Sequence, residues 1–360
     1  MSKKIMCGNV AIGGGAPVSI QSMCNTKTED VKSTVAQIRE LAGEGCQIIR
    51  LAVPTEEAVT GFGEAKKQLR AEGIDIPMVA DIHFDYRLAI GAIKAGADKV
   101  RINPGNIGSR ERVKEVADAA KAYGIPIRVG VNGGSLEKDI LERDGSVTAR
   151  GLADSALRNL ALLEDMGFYD MVFSIKSSDV RMNFEACRLA ASETEYPMHI
   201  GVTEAGTSEM GQIKSAAGIG ALLLSGVGDT MRVSLTAPPV EEVRYAKKLL
   251  KAIGIRKGGI DFVSCPTCGR TAVDLRAMAE EAEKALKDID ESLGREGKSL
   301  KVAIMGCAVN GIGEGREADF GIAGGSGEAV LFSKGEILKK LPEKEAVEEL
   351  KKIIEDSLVK

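Results

Sequence analysis

PMVADIHFDYRLAIGAIKAGADKVRIN, residues 77–103, contains the unit from which the fold follows. PMVADI (77–82) is a short apolar run ending on a carboxylate, as a buried strand does when it surfaces. YRLAIGAIKAGA then spaces its apolar residues at helical intervals and stops at glycine, the residue that best accepts the left-handed backbone closing a helix. DKVRIN (98–103) starts a second strand. A strand, a helix and a strand in that order make a parallel pair. The same unit recurs outward in both directions. The strands are expected at PVSIQS (17–22), QIIRLAV (47–53), PMVADI, DKVRIN, PIRVGV (126–131), MVFSIK (171–176), MHIGVTE (198–204) and ALLLSG (221–226). Helical stretches such as DVKSTVAQIRELAGEG (30–45) and VEEVRYAKKLLKAIG (240–254) lie between and after them. Eight units in one chain predict an α/β fold, a closed (β/α)8 TIM-type barrel over residues 1–254.

Composition bounds the function. The 360 residues are 44% hydrophobic and 28% charged, which excludes a disordered chain. Lys+Arg is 48 against Asp+Glu 52, a net charge of −4, so no general affinity for nucleic acid or membrane follows. Aromatic residues are 4% and Trp is absent, which leaves no stacking platform for single strands. The N-terminal MSKKIMCGNVAIGGG has no apolar core of a secretory signal, and no apolar run approaches the roughly 20 residues of a membrane span. A cytoplasmic location is expected. Seven cysteines, an odd number scattered along the chain, do not form a disulfide framework.

In a parallel barrel the residues at the C-terminal ends of the strands surround the ligand. These are Asn25, Arg50, Asp81, His83, Arg101, Asn103, Arg128, Asn132, Lys176, Glu204 and Ser225. Four cations, Arg50, Arg101, Arg128 and Lys176, converging on one mouth call for an anionic ligand, because guanidinium forks match phosphate oxygens. A phosphorylated small molecule is the expected ligand class. The competing reading pairs each arginine with a neighbouring barrel carboxylate. His83 and Glu204 sit where they can exchange protons with a ligand. His199 falls inside a strand and reads as a satisfied core residue. The stretch GVGDT (226–230) is expected to follow the last strand as a phosphate loop.

After Ile255 the pattern changes. Residues 255–264 read as a linker, and 265–360 as a small α+β domain. Its expected elements are a helix (271–293), a strand running into a glycine-rich loop (KVAIMGCAVNGIGEG, 301–315), a hairpin (328–341) and a final helix (343–358). Cys265 and Cys268 form C-x-x-C, and Cys307 follows in the glycine-rich loop. A thioredoxin-type dithiol leaves the third cysteine unexplained. A structural zinc site wants four Cys or His ligands, and both histidines lie in the other domain. Three thiolates with an incomplete shell suit a [4Fe–4S] cluster, with Glu314 as candidate for the open iron. Cluster, zinc and no metal all remain readings of the spacing.

QSMCNTKTED (21–30), DIHFDYRLA (81–89), RINPGN (101–106), SCPTCGR (264–270) and GCAVNGIGEGREADFGIAGG (306–325) together resemble the 4-hydroxy-3-methylbut-2-enyl diphosphate synthase family. The resemblance covers essentially the whole chain in its short, two-domain bacterial form. One departure is Cys24, where the family often has Thr, which introduces a thiol open to oxidation. The resemblance implies reductive ring opening and dehydration of 2-C-methyl-D-erythritol 2,4-cyclodiphosphate, with ferredoxin or flavodoxin as electron donor. It implies one [4Fe–4S] cluster per chain on Cys265, Cys268 and Cys307, with Glu314 on the fourth iron. Arg50, Arg101, Arg128 and Lys176 would hold the diphosphate, with Asn103, Asn132 and Ser225 as neutral donors. Asp81, His83 and Glu204 would stand near the carbon skeleton, Glu204 as proton donor. It also implies a head-to-tail homodimer, in line with a final barrel helix that delivers the second domain to the wrong end of its own barrel. Two other functions fit part of the chain. A Schiff-base aldolase on Lys176 leaves the cysteines unexplained, and a non-catalytic iron–sulfur sensor of a phosphorylated metabolite predicts no turnover.

Overall fold

The computed structural model describes residues 1–358. The chain divides into two compact units, Met1–Ile255 and Arg256–Lys360. The first opens with an antiparallel hairpin of β1 (Ile5–Cys7) and β2 (Val10–Ile12). Eight parallel strands follow: β3 (Ser19–Met23), β4 (Ile48–Ala52), β5 (Met78–Asp81), β6 (Lys99–Ile102), β7 (Ile127–Asn132), β8 (Met171–Lys176), β9 (His199–Ile200) and β10 (Thr230–Met231). Their order is β8-β7-β6-β5-β4-β3-β10-β9, and a parallel bridge from Phe173 to Met198 joins the two ends. The sheet is a (β/α)8 barrel.

The helices form because each has a capped start and an apolar face. Asp30, Thr55, Asp85, Thr148 and Asp179 each accept a backbone N–H of the helix they precede, which satisfies one of the donors left open at a helix start. Along the strands, residues alternate between the helix layer and the barrel interior. Ile48, Val79 and Val172 face inward and pack on Ile5, Cys7 and Ile12 of the hairpin, so the hairpin forms an apolar floor at the strands' N-terminal ends. Above that floor the interior is polar.

The eighth strand is not where the sequence places it. ALLLSG is the last turn of a helix, Ser208–Leu224, and the strand is Thr230–Met231. A leucine run has no periodicity of its own, so length decides, and the helix is 17 residues long. GVGDT therefore leads into the eighth strand, with Thr230 as its first residue, instead of following it. Residues 259–264 are not a linker either. They form β11 (Gly259–Ser264), the edge of a second sheet.

In the second unit β11, β12 (Ser299–Met305) and β13 (Phe320–Gly324) run parallel, and β14 (Glu328–Ser333) and β15 (Glu336–Pro342) continue antiparallel. Helices Leu275–Ala285, Lys287–Glu296 and Ala346–Leu358 contribute to a core with Val302, Ile304 and Ile322 of the sheet. On the other face Ala308 and Ile312 pack on Ala303, Met305 and Phe332. These two belong to a short helix, Ala308–Glu314, inside what the glycines made look like loop. Gly311 fits there because a Cβ would lie 2.6 Å from that of Met305.

Candidate functional site

Asp81 and Lys176 end β5 and β8 as expected, whereas Arg50, Arg101 and Arg128 lie within β4, β6 and β7, deeper in the barrel than the strand ends where the sequence places them. Asp81, 3% exposed, accepts from Arg101 Nη1 at 3.2 Å. Its other oxygen lies 3.8 Å from Arg50 Nε and 3.5 Å from His83 Nε2. Burial alone would raise the Asp81 carboxyl, but Arg50, His83, Arg101 and Arg128 hold it well below the usual carboxylate range. Arg50 Nε and Nη2 also stand 3.1 and 2.7 Å from the Met23 sulfur, and burial pulls the Arg50 guanidinium down to about 10. One carboxylate thus serves two arginines and a histidine. The alternative in which each arginine pairs with a neighbouring barrel carboxylate holds for Arg50 and Arg101, which share Asp81, and fails for Arg128.

Arg128 is the extreme case. It is 1% exposed, and its Nε and Nη1 meet no hydrogen-bond partner. Burial, then Arg50 and Arg101, push it well below its ordinary value. Lys176 is likewise pushed down by burial and by Arg50, Arg232, Arg128 and Arg101. Two glycines make room for these groups. A Cβ on Gly130 would lie 2.6 Å from Arg101 Nε, and one on Gly201 would lie 2.7 Å from the Arg232 carbonyl oxygen and 3.0 Å from Lys176 Nζ.

The remaining expected residues divide. Asn132 ends β7 opposite Lys176 in the strand register. Asn103, buried, spends its side-chain oxygen on Gly105 N–H at 3.1 Å. His83 stays half-exposed beside Asp81. Asn25 is tied to Gln37, its side-chain oxygen accepting at 2.6 Å and its backbone N–H donating at 2.9 Å. Glu204 is exposed on the loop after β9 with φ 52°, a left-handed conformation that non-glycine residues adopt rarely and mostly where function requires it. Ser225 is not at the mouth. It caps the helix before β10, donating to Leu222 O at 2.8 Å, at the strand's N-terminal end. Cys24 is 5% exposed, and burial followed by Cys46 raises its thiol to about 12, so the expected oxidation liability is absent. His199 is in the core, but neither of its ring nitrogens has a partner.

Arg232 is the mouth residue the sequence reading missed. It follows β10, pairs with Glu242 at 3.2 Å, and its Nη1 lies 3.5 Å from the Met23 sulfur. The alternation in TMRVSL (230–235), right after a Gly-Asp turn, is the signal that identifies it. Ser234 lies two residues further on, past the C-terminal end of β10, on the side of the strand where Ser225 was expected.

In the second unit Ser264 of β11 pairs with Ile304 of β12, so Cys265 and Cys307 both follow the same end of adjacent strands. Gly306 N–H donates to Cys265 Sγ at 3.3 Å. Backbone hydrogen bonding at Arg270, against slight burial, lowers the exposed Cys268 thiol, with Thr271 and the Arg270 charge assisting. All three thiols are free. A thiolate-binding centre wants such a set, unbridged and supported by N–H donors. Glu314 ends the helix that Cys307 begins. Among the described residues no group of three or more His, Cys, Asp or Glu is gathered tightly enough to hold a metal ion.

Residues 2–247 match the family model described as the GcpE TIM-barrel domain, and residues 261–356 match the GcpE protein C-terminal domain. Over 355 residues the chain is 54% identical to the 4-hydroxy-3-methylbut-2-en-1-yl diphosphate synthase (flavodoxin) of Caldanaerobacter subterraneus subsp. tengcongensis, covering 99% of this chain and 97% of that one. The protein of the same name from Clostridium acetobutylicum is 52% identical, over 99% and 98% of the two chains. Among solved structures, 7,8-dihydropteroate synthase from Vibrio fischeri is similar with TM-score 0.51 and 11% identity, over 70% of this chain and 98% of that one. That likeness concerns the fold alone.

Proposed function

The chain belongs to the GcpE family of 4-hydroxy-3-methylbut-2-en-1-yl diphosphate synthases, and we propose that the residues of its barrel mouth and its three C-terminal thiols carry out that reaction. It is an oxidoreductase of non-mevalonate isoprenoid synthesis. It opens the ring of 2-C-methyl-D-erythritol 2,4-cyclodiphosphate with two electrons from flavodoxin and releases one hydroxyl as water, giving (E)-4-hydroxy-3-methylbut-2-enyl diphosphate.

The observation that carries the residue assignment is Arg128, fully buried among other cations with two N–H groups unpaired. A buried guanidinium in that state needs an anion. Arg128, Arg50, Arg101 and Lys176 would hold the diphosphate, with Arg232 completing the cationic wall and Asn103, Asn132 and Ser234 as neutral donors. Asp81 would keep Arg50, Arg101 and His83 oriented toward the ligand. Glu204, on its constrained loop, would deliver the proton to the departing hydroxyl.

Cys265, Cys268 and Cys307 would hold a [4Fe–4S] cluster, with Glu314 as a carboxylate ligand exchanged more easily than a thiolate. Such a cluster supplies single-electron transfer and a Lewis-acidic iron when bound. The hydrogen bonding at Cys268 favours the thiolate form that binding requires. Seven free thiols are in keeping with the reducing cytoplasm, and no helix among the described residues can cross a membrane. The working unit proposed is a homodimer in which one chain's barrel is served by its partner's thiols.

The cluster assignment is tested by iron and sulfide analysis of anaerobically prepared protein. About four of each per chain are expected, with loss of both in Cys307→Ser. Stoichiometric zinc without sulfide would overturn it.

A further inference from the structure

Below the mouth and above the hydrophobic floor lies a layer of polar groups that substrate binding does not use. Ser19 pairs with Thr230, and Thr230 with His199, so β3, β10 and β9 bring three polar side chains to one level of the interior. Lys99 enters from β6, opposite Val79. All four are 0% exposed. Lys99 Nζ, both His199 nitrogens and the two hydroxyls meet no hydrogen-bond partner.

The charges acting directly on this layer are cations; the nearby carboxylates are engaged, Asp81 and Glu242 with the mouth residues and Asp98, beside the Cys7 thiol of the floor, with Lys66. Arg128, Lys176 and Arg50 act on His199 together with Lys99. Arg128 and Arg50 act on Lys99, which otherwise meets only the Cys7 thiol of the floor. Asp81 is shared among Arg50, Arg101 and His83, and Glu242 is taken by Arg232, Ser22 and Leu235 N–H. Arginines do not give up their protons in proteins. Crowding of like charge therefore falls on the groups that can, the lysines and the histidine.

We propose that Lys99 and His199 form a proton-accepting layer beneath the mouth, which takes up a proton when the anionic substrate enters. The inference rests on the mouth being the diphosphate site. An entering dianion offsets part of the positive field over the layer; His199 has no acceptor of its own to compete for the new proton, and Lys99 meets only the Cys7 thiol. Proton and substrate then bind together, and by linkage the affinity rises as pH falls. Burial and the neighbouring cations hold both groups below their ordinary values in the empty barrel, which is the direction this requires. The proton comes from solvent, no bond to carbon or phosphorus changes, and no electron moves.

The test is titration calorimetry of the cluster-loaded protein with 2-C-methyl-D-erythritol 2,4-cyclodiphosphate, without reductant, at one pH in two buffers of different ionisation enthalpy. Each phosphorus of this ligand carries one strongly acidic hydroxyl, so the ligand does not itself titrate near neutrality. Any buffer-dependent heat reports protons taken up by the protein. The expected result is net uptake in the wild type, reduced at least twofold in Lys99→Met with His199→Gln. A second readout does not need that double variant to fold. In protein labelled with 15N-histidine only His83 and His199 give ring signals, and His199→Gln assigns them. Lowering the pH should shift His199 to its imidazolium form at a higher pH with the ligand than without. Binding with no buffer dependence, or with uptake unchanged in the double variant, overturns the layer but leaves the mouth assignment standing. Absence of any binding overturns both.

Discussion

Asp81 is the residue on which the mouth's geometry turns. Its carboxylate faces Arg50, Arg101 and His83 from 3% exposure. Removing one partner from a buried charged group costs about 3 kcal/mol or more, because the remaining charge is left unpaired. Asp81→Asn keeps the shape and removes the charge, so it should lower the stability of the barrel by about that amount at pH 7. The pH dependence has a definite sign. The folded-state pKa of Asp81 lies below its unfolded value, so its contribution is complete above about pH 4 and fades as pH falls through the folded value. Urea unfolding at pH 7 and at pH 3 checks this. The gap between wild type and Asp81→Asn should narrow at the lower pH, and equal midpoints at pH 7 would contradict the role. Arg50, Asp81, Arg101, Arg128 and Lys176 were legible in the sequence because each belongs to a strand whose neighbours on both sides are unambiguous, although only Asp81 and Lys176 end theirs. The missing partners of Arg128 and His199 were not legible, since hydrogen-bond satisfaction depends on strands far apart in sequence.

At the scale of elements, strands and helices with clear periodicity agree with the sequence, and the failures have a common cause. Where apolar residues run without alternation, as in ALLLSG, pattern alone does not separate a helix end from a strand. The true eighth strand is only Thr230–Met231. Misplacing it carried Ser225 to the mouth and hid Arg232. Glycine misled in the second unit, where Gly311 allows a helix to lie against Met305, yet reads as loop. Inside β7, Gly130 has a use that only the packed structure reveals, since a Cβ there would strike the Arg101 guanidinium at 2.6 Å. The guanidinium is the far end of a flexible side chain and can move aside, but in moving it leaves Asp81. Gly130→Ala should therefore change the melting temperature little while raising KM for the cyclodiphosphate about tenfold, the value of one charge-assisted contact. An unchanged KM would remove Arg101 from the binding set. Gly201→Ala is the informative contrast, because its Cβ meets the Arg232 carbonyl oxygen at 2.7 Å, backbone that cannot yield, and so costs stability first.

At the scale of the whole molecule the proposed function needs both units: the cationic mouth would hold the diphosphate, and the three free thiols of the α+β unit would hold the electron-transferring centre. The two-unit organisation was visible at the change of composition after Ile255. The start of the second sheet at Gly259 was not, because β11 is a short edge strand with a polar, partly exposed pattern. The most direct measurement is anaerobic turnover of 2-C-methyl-D-erythritol 2,4-cyclodiphosphate by the cluster-loaded chain with reduced flavodoxin, following the product by phosphorus NMR. The account predicts (E)-4-hydroxy-3-methylbut-2-enyl diphosphate from the wild type, and none from Arg128→Ala or Cys307→Ser alone. Product should return when the two variants are mixed under conditions that exchange subunits, because one good barrel then meets one good set of thiols. Verified mixed dimers without activity would reject the shared site, and a cluster-loaded wild type that yields no product would contradict the function itself.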